Sequence, residues 1–322
     1  MAHCVSNMAY VGAEPWHGLG QQLPAKQPIA VWLKSAGMDW QIESSPVRYT
    51  SHVNGSLGAI HAFPEQRVLY RSDTKVPLSV VSPRYQVVQP REVLEFYRDL
   101  TEISGYELET AGVLKGGKKF WALARTGQST SLKGSDVVNG YLLLATSCDG
   151  TLATTATPTT VRVVCNNTLN LAVAGNTTAI KVGHRSKFDP ESVKQQLGIA
   201  VSQWDRFMVQ MRVLSERKVK SYEATNYFLR VFCDGLDVHS PDFRLMNERA
   251  MKKAQSLYDG QGRGAELDSA KGTAWGLLNA VTEFVDHEKR ARSQDHRLDS
   301  AWFGQGAQLK QRALDTALLM AA

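Results

Sequence analysis

Between residues 106 and 165 the chain alternates apolar and polar side chains in four runs, and the breaks carry turn signals. "YELETAGVL" and "KKFWALART" are parted by "KGG", and "VNGYLLLATSC" and "TLATTATPTTVRVVC" are parted at Asp149-Gly150. A period of two marks a half-buried strand. Asp-Gly between two such runs is a strong hairpin signal. The stretch is therefore expected to fold as an antiparallel meander of four strands, with Lys115, Lys118 and Lys119 at the tip of its first hairpin.

The flanks differ. Residues 1–40 look irregular apart from "IAVWLKSAGM", a short helix ending at Gly37. From about 47 to 88 the pattern is β, with "GAIHAF" and "RVLYRS" read as a hairpin around "PEQ". Val93, Phe96, Tyr97, Leu100 and Ile103 recur at spacings of three and four, which predicts a helix over 91–104 closed by Gly105. "NNTLNLAVAG" is read as the start of a helix packing on the sheet, and "TAIKVGHRSKF" as extended. Asp189 then suits an N-cap, with Pro190 and Glu191 in the first turn of a long helix striped by Leu197, Val201, Trp204, Met208, Met211 and Leu214. Helical patterns continue to the C-terminus, interrupted by "GQGRGAELD", read as a flexible linker. The expectation is an α+β fold: an antiparallel β-meander packed on helices in a body spanning 1–188, and a helical region spanning 189–322.

Charge follows the same division. The 322 residues carry a net charge of +6. Residues 110–187 hold nine Lys and Arg against Asp136 and Asp149, a local excess of +7, while the helical half is nearly balanced. A basic face of this kind suits a polyanion, because neutralising phosphates releases counterions. A solvated sheet face with acidic partners elsewhere in the fold accounts for it equally well. The longest apolar runs fall short of the ~18 residues that span a bilayer, and "MAHCVSNMAYVGAEPWHGLG" lacks the layout of a secretory signal. A cytoplasmic location is expected.

The stretch "TPTTVRVVCNNT" at 157–168 carries the sharpest chemical question. Cys165 ends an alternating strand. It suits a nucleophile, a metal ligand or a small buried hydrophobe ahead of a capped helix. The nearest histidine that could act as its base is His184, nineteen residues on. Cys4, Cys148, Cys165 and Cys233 lie far apart with no CxxC spacing, so no metal site and no disulfide framework is expected. Asn166 and Asn167 suit helix capping, and they can also hydrogen-bond phosphate or base edges. "GLG" and "GQGRG" lack the features of a phosphate-binding loop. No catalytic residue and no cofactor is assigned.

Cations interleave with aromatic residues. Arg84 precedes Tyr85; Lys118 and Lys119 precede Phe120 and Trp121; His184, Arg185 and Lys187 precede Phe188. On a sheet this pattern suits a single nucleic-acid strand, with cations along the backbone and rings as stacking faces. The phosphate contacts are assigned to Arg84, Lys115, Lys118, Lys119, Arg125, Arg162, Lys181, Arg185 and Lys187. Tyr85 and Trp121 are the stacking candidates, although both also sit among apolar neighbours as core rings would. Asn166 and Asn167 complete the set.

Taken together, "PWHGLG", "SPRYQVVQ", "ETAGVLKGGKKFWALA", "VRVVCNNTL" and "GTAWGLLNAVTEFVDH" resemble the phage- and plasmid-encoded family called domain of unknown function 932. The resemblance implies a mobile-element protein made in a bacterial cytoplasm and carries no characterised activity. In arrangement alone, a basic meander followed by helices is similar to the phage single-strand annealing proteins of the Redβ and Erf type. That likeness implies rings or filaments that hold one strand in a basic groove without a catalytic residue.

The expected function is thus a phage or plasmid single-stranded DNA-binding and annealing protein in recombination. It would work as a homo-oligomer without ATP or metal, and RNA shares the same phosphate chemistry. A phage exonuclease or a host single-strand-binding protein would be a further partner, and no membrane is involved. The alternative is a mobile-element protein whose basic face meets a host or phage protein, as a defence inhibitor or accessory factor. An enzyme using Cys165 or His184 is the third reading.

Overall fold

The structure, a computed structural model, describes residues 5–12, 20–53, 56–162, 164, 167–170, 172–173, 176–177, 179–201, 204–233 and 248–322. The fold is α+β, with antiparallel sheets and a helical C-terminal part. The chain divides into two compact units. The first comprises Met1–Thr126, Leu142–Thr157 and Ala179–Leu197, and the second Gly127–Tyr141, Pro158–Thr178 and Gly198–Ala322. Each unit is thus assembled from separate stretches, where a single cut after residue 188 was expected.

In the first unit β1 (Val5–Val11) and β2 (Gln21–Leu23) precede α1 (Ile29–Ser35). A long ribbon follows, made of β3 (Ile42–Val53) and β4 (Ser56–Arg71), with β5 (Pro77–Val81) paired to the base of β4. "PEQ" is no turn here. Pro46 pairs with Arg67 while Val47 pairs with Phe63, so residues 64–66 form a bulge inside one strand. A bulge tolerates Pro64 because no ladder hydrogen bond is required of it there.

Helix α2 (Pro90–Ser104) starts where the sequence predicts. Pro90 sets the first helical φ, and the Gln89 N–H donates to Glu92 Oε2 at 2.6 Å, one arm of a capping box. Gly105 closes the helix at φ 68°, a left-handed conformation open to glycine at little cost. The stripe buries Val93, Phe96 and Tyr97 in the core of this unit, beside Trp32, Leu33, Phe120 and Leu144.

The meander forms as β6 (Glu107–Leu114), β7 (Lys119–Leu132), β8 (Asp136–Ser147) and β9 (Thr154–Arg162). Lys115–Gly117 and Asp149-Gly150 make its first and last turns. Links this short join antiparallel neighbours. In the first unit the strand order is β9-β8-β7-β6-β1-β2. After β9 the expected helix is absent. Asn167 opens β10 (Asn167–Asn170), which pairs back on β9 with Asn167 opposite Arg162. The β-branched Thr168 and the free edge of β9 favour a ladder over a helix here. Short strands β11 (Ala172–Val173) and β12 (Asn176–Thr177) pair with each other, and β13 (Ile180–Val182) pairs with the start of β9.

The helices are α3 (Pro190–Val201), α4 (Trp204–Glu216), α5 (Ser221–Phe232), α6 (Glu248–Ser256), α7 (Ala274–Glu283), α8 (Gln294–Phe303) and α9 (Gln305–Ala321). The stripe read as one helix falls on α3 and α4, on either side of residues 202–203. The second unit packs Trp204, Phe207, Met208, Phe228, Trp275, Leu278 and Leu314 around α7. Gly276 lets α7 approach its preceding turn, since a Cβ there would lie 2.0 Å from the Ala270 carbonyl oxygen. Among the described residues no helix is long and apolar enough to cross a membrane.

Candidate nucleic-acid interface

One end of the sheet in the first unit gathers four chain segments around the β8–β9 turn. Tyr85 donates its hydroxyl hydrogen to Ser147 O at 2.9 Å. Cys148 N–H donates to Lys118 O at 2.9 Å, tying the β6–β7 turn to the same place. His184 Nε2 lies 2.8 Å from Leu152 O, and Gln86 N–H donates to His184 O at 2.6 Å. The Tyr85 and His184 rings stack with centroids 4.4 Å apart and planes 18° from parallel. Arg67, which the sequence reading missed, donates from Nη2 to Tyr85 O at 2.6 Å and so holds the loop carrying the ring.

This scaffold brings together cations that are up to about a hundred residues apart in sequence. Arg84 sits beside Tyr85, Arg185 beside His184, and Lys187 two residues on; all three are exposed. Lys181 is exposed on β13, paired with Thr155 at the start of β9. Lys118 and Lys115 are half-buried on the β6–β7 turn. Arg84, Lys118, Lys181, Arg185 and Lys187 form no ion pair with any described residue. The acid within the turn is Asp149. Burial pushes its carboxyl up, but the Thr151 hydrogen bonds, with Ser147 and the Lys119 charge, outweigh this and hold it below the usual range. Burial pushes the Tyr85 hydroxyl well above its ordinary value and the Cys148 thiol up to about 12, so neither ionises near neutrality.

Other predicted contacts lie elsewhere. Lys119 and Trp121 are 5 % and 1 % exposed, because both faces of β7 are covered from Lys119 to Ala124. Trp121 is a core ring and Lys119 a buried cation. Arg125 is exposed, but it pairs with Glu109 at 2.9 Å and sits opposite Glu107, at the far end of the β6–β7 hairpin from Lys118. Asn166, like Cys165, lies outside the described residues. Asn167 contributes backbone to β10 and does not start a helix.

Arg162 is the largest correction. Expected on an outward face, it is 2 % exposed within the second unit. Its guanidinium donates to both carboxylate oxygens of Asp136 and to Gly264 O at 3.1 Å. Asp136 Oδ2 also accepts from Ser269 Oγ at 2.6 Å and from Trp275 Nε1 at 2.9 Å. A second buried pair joins Lys310 to Asp286 at 2.8 Å, and Asp286 Oδ2 accepts the Thr168 N–H at 2.9 Å. Both oxygens of Glu283 accept the Arg263 N–H, so "GQGRGAELD" is anchored at its arginine and glycine rather than a free linker. Among the described residues no group of three or more His, Cys, Asp or Glu side chains is placed to hold a metal ion.

Fold and site together define an α+β protein whose sheet end carries surface cations around an aromatic stack. A family model described as Domain of unknown function (DUF932) matches residues 77–302, and the chain belongs to that family. The matched span contains the whole cation cluster, the Arg162–Asp136 pair and Asp286, and ends before Lys310. No curated protein and no solved structure matches the chain significantly.

Proposed function

We propose that the chain is a single-strand nucleic-acid-binding protein that acts in annealing or recombination on a mobile element, as a homo-oligomer and without ATP. The observation that carries this reading is the cluster of exposed, unpaired cations Arg84, Lys181, Arg185 and Lys187 around the Tyr85–His184 stack. Unpaired surface cations at close quarters repel one another. They are relieved when phosphates displace counterions, which makes a polyanion their natural occupant. Half-buried rings among them offer bases a stacking surface that a duplex keeps internal, which favours single strands. Lys115 and Lys118 extend the cationic track along the neighbouring turn, and the location would be the host cytoplasm.

The test is fluorescence anisotropy of labelled single-stranded and duplex oligonucleotides across a salt series. The expected result is preference for the single strand, steep weakening with salt, and loss of binding in the triple variant Arg84→Glu/Arg185→Glu/Lys187→Glu. Unchanged affinity in that variant would overturn the reading. Absence of oligonucleotide binding, with stoichiometric capture of an acidic protein through the same cations, would select the alternative of a protein-binding accessory factor.

A further inference from the structure

The ribbon β3–β4 leaves its supporting body early. Ile42 and Leu69 are buried at its base, yet none of the described side chains from Glu43 to Val68 is buried. β5 supports β4 only between Arg67 and Tyr70, so from Val47 to Val53 and from Ser56 to Phe63 the outer edges of the ribbon pair with no other described strand. Seven residues of extended strand from Val47 to Val53 reach about 23 Å. A lone two-stranded ribbon is marginal in water, and free edges are templates for further strands.

Its composition says what should cover it. Cross-strand partners share a face, which places Val47 with Phe63 and Tyr49 with His61 on one side. Tyr49 is 54 % and Phe63 39 % exposed, and the Tyr49 ring stacks on His61 at 5.2 Å. Ile60, on the other face opposite Thr50, is 68 % exposed. Residues 44–66 contain one Arg and one Glu, so the arm is neutral on a chain of net charge +6. A polyanion gains little from a neutral arm. Two copies of a basic chain repel one another wherever their cations face, and they can approach where charge vanishes. A face and an edge that are the same on both copies also meet the requirement of a two-fold contact.

We infer that the β3–β4 arm is a self-association arm that packs its Val47/Tyr49/Phe63 face against the arm of a second copy of this chain. The inference is independent of the nucleic-acid reading, since it uses none of the cluster cations.

The test is sedimentation velocity on the full chain and on two variants, Tyr49→Glu/Phe63→Glu and Tyr49→Lys/Phe63→Lys. The wild type is expected to sediment as a dimer or larger. Each variant alone should be monomeric with unchanged thermal unfolding, and an equimolar mixture of the two should restore association. A wild type that stays monomeric at the highest soluble concentration would overturn the inference, as would self-association unaltered in both variants. Variants that keep self-association but lose oligonucleotide binding would reassign the arm to nucleic acid and also overturn it. A third form, with residues 47–63 replaced by a short Asn-Gly turn, removes the arm without placing charges on it and should likewise be monomeric.

Discussion

Arg162 and Asp136 meet through two hydrogen bonds, Nε to Oδ1 at 2.7 Å and Nη2 to Oδ2 at 2.8 Å, with side chains only 3 % and 0 % exposed. Ser269 and Trp275 donate to Asp136 Oδ2, and the Gly264 and Arg263 carbonyls accept from Arg162 Nη2 and Nη1. Removing either partner strands a buried charge, which typically costs about 3–5 kcal/mol. Arg162→Ala and Asp136→Ala should therefore each lower stability by that order in urea titration. Their double variant should lose less than the sum, because neither charge is then left alone. Oligonucleotide affinity of the folded Arg162→Ala protein should match wild type, since the guanidinium is committed to the interior.

The surface cations should behave in the opposite way. Arg84→Ala, Arg185→Ala and Lys187→Ala are each expected to leave thermal unfolding unchanged. Each should flatten the plot of log affinity against log salt by about 0.7 for a single strand, one phosphate contact apiece. Arg125→Ala is the internal comparison: it is paired with Glu109 at the other end of the hairpin, and its salt slope should equal that of wild type.

Tyr85 separates ring from hydroxyl. Tyr85→Phe keeps the stack on His184 but leaves Ser147 O without its donor, at a cost of about 1 kcal/mol in stability and none in binding. Tyr85→Ala removes the ring and should weaken single-strand binding by about 1–3 kcal/mol, read by anisotropy at fixed salt.

Glu283 predicts a pH dependence. Burial raises its folded-state pKa above the ordinary 4.5, against the lowering effects of the Arg263 N–H and the Arg263 and Arg162 charges. Between those two values the folded chain binds more protons than the unfolded chain, so stability falls as pH rises through that window. Glu283→Gln keeps an acceptor for the Arg263 N–H and removes the titration. Denaturation midpoints measured from pH 4 upward should therefore show the variant gaining on wild type as pH rises through that window.

Local signals were legible where short-range physics decides the outcome. The period-two runs, "KGG" and Asp149-Gly150 specified the meander, and the three-and-four spacing from Val93 to Ile103 with Gly105 at its end specified α2, because turns, caps and amphipathic stripes are set by neighbours in sequence. Arg84, Lys181, Arg185 and Lys187 are exposed, but the same local pattern also selected the buried Lys119 and Arg162. Local pattern misled where a long-range partner intervened. "PEQ" looked like a turn until Pro46 on the paired strand absorbed it as a bulge, and "NNTLN" looked like a helix start until the edge of β9 offered a ladder.

Arg162 shows the limit most clearly. Along the sequence it is a cation alternating with valines on a strand, indistinguishable from Lys181. Nothing in its neighbourhood announces Asp136, 26 residues earlier, or Ser269 and Trp275, more than a hundred later. Periodicity and composition are enough to specify the α+β class, the meander and the sign of the charge. Which cations remain in water and which are neutralised inside emerges on folding, because the free energy of a charge depends on the side chains folding brings to it.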